Sequence, residues 1–204
     1  MPVFFLLTQL ALAARRPDLS EALNKLGIRL PDNASHIDLM VEVHRVLDET
    51  FFASDLRSDI SEMAQLALGE VLAGYLRSRP RDMFADSIVQ LRRDLQELGN
   101  QKTFGEVAHD FFGNFVARLL NFHLSRIVRT GDGQSLIGDV EDLSRFNAEL
   151  RQHSRQRAVI VRDFATKWFS KTEFESGIDP YRTKRFVSHA LKKLEDEFKR
   201  GGDE

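Results

Sequence analysis

Cysteine is absent from the 204 residues. Its absence excludes disulfides, thiolate metal sites and cysteine nucleophiles. It fits a reducing cytoplasm, which is the expected localisation. A chain of this length hides roughly 70% of the surface its unfolded form exposes, so it needs no covalent staples. Long apolar runs are missing as well. The most apolar stretch, MPVFFLLTQLALAARRP, is interrupted at Thr8 and Gln9, has no positive charge ahead of it and is too short to span a bilayer. It is expected to be a buried first helix, with a secretion signal as the alternative, and no membrane partner is expected.

Strand patterns and catalytic signatures are lacking too. No segment reads as a credible strand, and no period of 20–50 residues suggests a solenoid. There is no Gly-x-Ser-x-Gly elbow and no His-Glu-x-x-His. The glycine-rich RTGDGQSLIGD lacks the Lys-Ser/Thr and the preceding strand of a phosphate loop. Glu106-Val107-Ala108-His109 matches half of a di-iron bundle motif, but such sites need two of these plus two further glutamates. The six histidines are scattered. His44 and His123 are expected to be core histidines. No catalytic residue, metal ligand or cofactor is expected.

What remains is a helical pattern. Thr103 to Val128 holds two adjacent apolar rows. One is Phe104, Ala108, Phe111, Phe115, Leu119 and Phe122; the other is Val107, Phe112, Val116, Leu120 and Ile127. Two rows make a wide stripe, expected of a central helix with neighbours on more than one side. Thr103 and Glu106 read as its capping box.

Other helices follow from their own signals. Asp18 caps a short helix that Gly27 stops. Ser35 starts a third, with Ile37, Met40, Val41, His44, Leu47 and Phe51 on one face. A fourth, about Ile60 to Arg77, carries the small residues Ala64, Ala67, Ala73 and Gly74. A single apolar row, Phe84, Ile88, Leu91, Leu95 and Leu98, suits one narrow seam and is a candidate partner seam. One long helix is expected from about Asp139 to beyond Trp168, and a last one begins at Pro180 with Asp179 as cap. The expected class is all-α, an irregular bundle of about eight helices in one domain, 1–204, with a hinge at 99–102.

The formal net charge of −2 hides an asymmetry, because residues 145–193 carry twelve Lys and Arg against five Asp and Glu. Within that region every residue from Arg151 to Arg157 is polar, so a core helix loses its apolar face for two turns. Arg151, Arg155, Arg157 and Arg162, joined by Lys184, Arg185 and Lys192 of the last helix, are the candidate contacts for phosphate or for an acidic partner. Arg151, Arg155 and Arg162 are expected to be exposed, on a helix that projects from the bundle or is covered by a partner. The bland alternative is a solvated face with ordinary ion pairs.

GNFVARLLNFHLSR, RDFATKWFSK and RFVSHALKKLEDEF resemble small, all-helical bacterial proteins of unassigned function. Some of these are encoded beside ATPase or nuclease partners in operons against phage or plasmids. The resemblance covers about the C-terminal half and carries no catalytic motif. It implies a non-enzymatic interaction or accessory subunit of a larger bacterial complex, with an ATPase or a nuclease as partner. One alternative is a nucleic-acid-contacting accessory protein using the basic face. Another is a ligand-binding or enzymatic bundle, which a pocket with converging polar groups would favour.

Overall fold

In the computed structural model the described residues, 2–81, 85–130 and 140–200, form nine α-helices and no strand, the side chains of 125–130, 140 and 172–176 excepted. The all-α class is therefore the observed one. The helices are α1 (Pro2–Ala13), α2 (Leu19–Lys25), α3 (His36–Ala53), α4 (Asp59–Arg77), α5 (Ser87–Leu98), α6 (Gln101–Thr130), α7 (Val140–Arg157), α8 (Val159–Ser176) and α9 (Pro180–Arg200). Phe84, the loop at 131–139 and the tail at 201–204 lie outside the described residues, as does the side chain of Ile127.

The apolar first segment is a buried helix. Val3, Phe4, Leu7, Leu10 and Ala11 are almost wholly removed from solvent. Phe4 sits among rings of three other helices. Its centroid lies 5.5 Å from Phe111 and 5.2 Å from Phe112 of α6, 6.3 Å from Trp168 of α8 and 5.3 Å from Phe186 of α9. Buried aromatic pairs at such spacings add to their area burial, so this cluster ties the two ends of the chain together.

The wide stripe of α6 is packed on several sides, against α4, α7 and α8. Phe104, Phe111, Phe112 and Phe115 are fully buried, while Leu119 and Phe122 pack at the core's edge. The start of α6 differs from the expected capping box. The helix begins at Gln101, and Asn100 caps it by accepting the Lys102 backbone N–H at 3.0 Å. Residues 99–102 form a tight corner pinned to the turn after α1, where the Arg15 Nε–H donates to the Gly99 carbonyl at 2.7 Å.

Three further expectations are corrected. The buried row of α3 is Leu39, Val43, Leu47 and Phe51, so Ile37 and Val41 face outward. The long C-terminal helix is two helices, broken at Ala158. Ala158 is fully buried, and its carbonyl accepts the Val161 N–H in a tight three-residue turn. His123 is exposed rather than in the core.

Candidate functional site

The polar segment 151–157 packs against the bundle by a route the apolar pattern does not reveal. Gly113 of α6 leaves room for α7 to approach closely, and the Arg155 side chain lies across it. Carboxylates wait opposite the arginines. Arg155 Nη2 is 2.6 Å from Asp110 Oδ1, and Arg151 Nη1 is 3.7 Å from Glu70 Oε1, a residue already paired with Arg118 at 2.7 Å. Burial pushes the Asp110 carboxyl up, but hydrogen bonds from His109 and Arg155 outweigh it and hold the group below its ordinary value. Arg162 pairs with its neighbour Asp163 at 3.2 Å, and Arg157 donates to the Glu197 carbonyl of α9 at 3.4 Å.

Of the seven basic residues all but Arg157, which is partly buried, are exposed. Arg151, Arg155 and Arg162 remain about half exposed, yet each is paired within the chain. The segment does not project as a free helix, because it packs on α6 at Gly113. Lys184, Arg185 and Lys192 of α9 are exposed to solvent. The seam is likewise filled from within. Leu91, Leu95 and Leu98 are completely buried in this chain's own core and Ile88 packs at its edge, so α5 presents no free apolar row.

His109, from the Glu-x-x-His motif, is a structural clamp. Its Nε2–H donates to the Arg155 carbonyl at 2.8 Å, next to the break that ends α7, and its Nδ1 lies 3.1 Å from Asp110 Oδ1. Both ring nitrogens thus face oxygens of this chain. Among the described residues no three His, Asp or Glu side chains gather as a metal site. No described helix is long and apolar enough to cross a membrane.

The unspent apolar surface is on α3 and α4. These helices run antiparallel. Gln65 donates to Asp48 at 3.0 Å, and His44 lies against Gly69, where a Cβ would come within 2.9 Å of its Nε2. The connecting turn is a Schellman motif: the Leu56 N–H donates to the Phe51 carbonyl and the Asp55 N–H to Phe52. Asp55 stands at φ 49°, where glycine is usual and aspartate is tolerated. This defined turn holds Phe52, Leu56 and Ile60 outward, with Phe52 82% exposed. Of the eleven exposed large apolar side chains among the described residues, six lie on this hairpin, which marks it as the part of the surface least satisfied by its own fold.

At the other end of the hairpin a groove of about 770 Å³ runs between the helices, lined by Ile37, Met40, Val41, Ala73 and Leu76. Ile37 is 74% and Val41 61% exposed. His36, Arg77 and Arg81 also line it. His36 is held from behind. Its Nε2–H donates to Asp94 Oδ2 of α5 at 2.8 Å, and Gln90 donates to Asp94 Oδ1 at 3.0 Å. Tyr75 donates its hydroxyl proton to the Asp94 carbonyl at 2.7 Å. Asp94 is only 2% exposed, so this is a buried carboxylate whose acceptors are satisfied by fixed donors.

Neither the tip nor the groove was singled out by sequence. The signal was present: α3 carries two apolar rows, Ile37 and Val41 beside Leu39, Val43 and Leu47, and only one can face the core. No known protein family matches the chain, and neither does any curated protein or solved structure.

Proposed function

We propose that the chain is a non-enzymatic helical interaction subunit and that the tip of the α3–α4 hairpin docks it to another polypeptide. The observation that carries this reading is Phe52, 82% exposed on a fixed turn with Leu56 and Ile60 beside it. Exposed aromatic side chains on rigid supports are the usual anchors of protein interfaces, because little conformational entropy is lost when they are covered. Covering one Phe side chain is worth about 1.5–3 kcal/mol. The resemblance of the C-terminal half to subunits encoded beside ATPases or nucleases supports a larger bacterial protein as partner, in defence against phage or plasmids.

The test is the size of the assembly that contains the chain in its native host. The full chain is expected to migrate well above its monomer mass. The variant Phe52→Ser/Leu56→Ser/Ile60→Ser should migrate as a folded monomer. A variant that stays in the assembly refutes docking at the tip.

The exposed Lys184, Arg185 and Lys192 of α9 support a second reading, contact with nucleic acid. None of the three is ion-paired among the described residues. Replacing all three by Ala should then weaken DNA binding and flatten its salt dependence. Unchanged binding and slope refute this reading.

A further inference from the structure

We infer that the groove between α3 and α4 is a binding site for a long-chain carboxylate, a ligand with one anionic head and an apolar tail. The site is separate from the hairpin tip and independent of docking there.

The groove has a direction. Its floor of Met40, Val41, Ala73 and Leu76 is apolar, and its volume of about 770 Å³ is in the range of small-molecule sites. His36 and two arginines gather at one end. With His44 against Gly69 and Asp48 bonded to Gln65, the antiparallel register sets His36 opposite Arg77, and Arg81 lies just beyond. Neither arginine makes an ion pair with a described residue. Guanidinium groups match a carboxylate's two oxygens, which suits them to an acid head group.

The remaining charges argue for a single head. Arg45 is engaged by Glu42 at 2.8 Å and Glu49 at 2.7 Å, so it is not free to hold a second anion. Asp48 and Glu49 line the groove away from His36 and would repel one. A tail laid over Met40 and Val41 meets neither problem.

His36 supplies the feature that a merely greasy cleft lacks. Its ring lines the groove while Nε2 is fixed by the buried Asp94, itself held by Gln90 and Tyr75. Such backing locks the ring in place at the end of the groove where the two arginines lie. Asp94 is a positioning residue here.

Calorimetric titration of the purified full chain, below the micelle threshold, tests the site with dodecanoate, dodecanol and phosphatidylglycerol vesicles. Dodecanoate is expected to bind at one site per chain, at least tenfold more tightly than dodecanol, with no binding to vesicles. Arg77→Ala/Arg81→Ala should weaken dodecanoate at least tenfold and leave dodecanol unchanged. Val41→Trp, which fills the floor without touching the head-group end, should weaken both. Arg77, Arg81 and Val41 are all exposed, so these variants keep the fold. Equal affinity for acid and alcohol overturns the inference. So do binding that survives both variants, binding to vesicles in place of dodecanoate, and the absence of any binding. None of these outcomes bears on docking through Phe52.

Discussion

Gly113 of α6 lies under Arg155 of α7, where a Cβ on the glycine would stand 3.0 Å from Arg155 Cγ and 3.1 Å from its Cα. The second distance involves backbone, so relief requires α7 to move. Gly113→Ala should therefore destabilise by about 1–3 kcal/mol, as overpacking does. Gly74 of α4 supplies the opposite case, since nothing lies within 4 Å of a Cβ built there. Gly74→Ala should stabilise by about 0.5–1 kcal/mol through helix propensity alone. Chemical denaturation of the two variants checks the pair. A Gly113→Ala variant that is as stable as wild type or more so would mean that α7 does not pack on α6 at Gly113.

The arginines of the polar segment should act as fasteners between helices. Arg155→Ala leaves Asp110 without its 2.6 Å partner and should lower stability by about 1 kcal/mol or less, as half-exposed ion pairs do. Arg162→Ala should have almost no effect, because its pairing with Asp163 joins neighbours on one helix. A double-mutant cycle of Arg155 with Asp110 measures the coupling, and a zero coupling energy would remove the fastener role.

Glu42 makes stability depend on acid pH. Hydrogen bonds from the Arg45 guanidinium, and then from the Arg29 backbone N–H, hold its carboxyl at about 2 against an ordinary 4.5. The folded chain thus binds this proton less readily than the unfolded chain. The stabilisation is complete above about pH 4.5 and is lost as the pH falls through about 2. The gap in Tm between wild type and Glu42→Gln should shrink across that window. A gap that stays constant down to pH 2 would show that Glu42 is not held in this way.

Much of the fold was legible because its signals are local. Asp18 caps α2 and Asp179 caps α9 through backbone N–H groups at 2.9 and 2.7 Å, as their positions before apolar rows suggested. The wide stripe of α6 reported neighbours on several sides. The break at Ala158 was not legible, since no glycine or proline marks it. The carbonyl freed near it is taken by His109, which lies 46 residues away in sequence. The row of α5 was read as a seam for another protein. Periodicity reports that a face is covered, and it is silent on whether the cover belongs to the same chain.

The outward face of α3 was misread for a related reason. Ile37 and Val41 lie on the same helix as the buried Leu39, Val43 and Leu47, and the pattern alone does not rank the two rows. The tertiary contacts of Leu39 and Val43 with the core decide it. The ion pairs of the arginines were missed for a different reason. Their partners Asp110 and Glu70 sit on other helices, where helical spacing within residues 151–162 cannot find them.

The most direct measurement of docking at the hairpin tip is photo-crosslinking from position 52 in living host cells. A benzophenone side chain replaces Phe52 in one strain and Tyr181, 68% exposed on α9, in a control strain. Docking at the tip requires one discrete adduct, a second polypeptide joined at position 52, with no such adduct at position 181. Equal labelling from both positions, or no adduct from position 52, would contradict it.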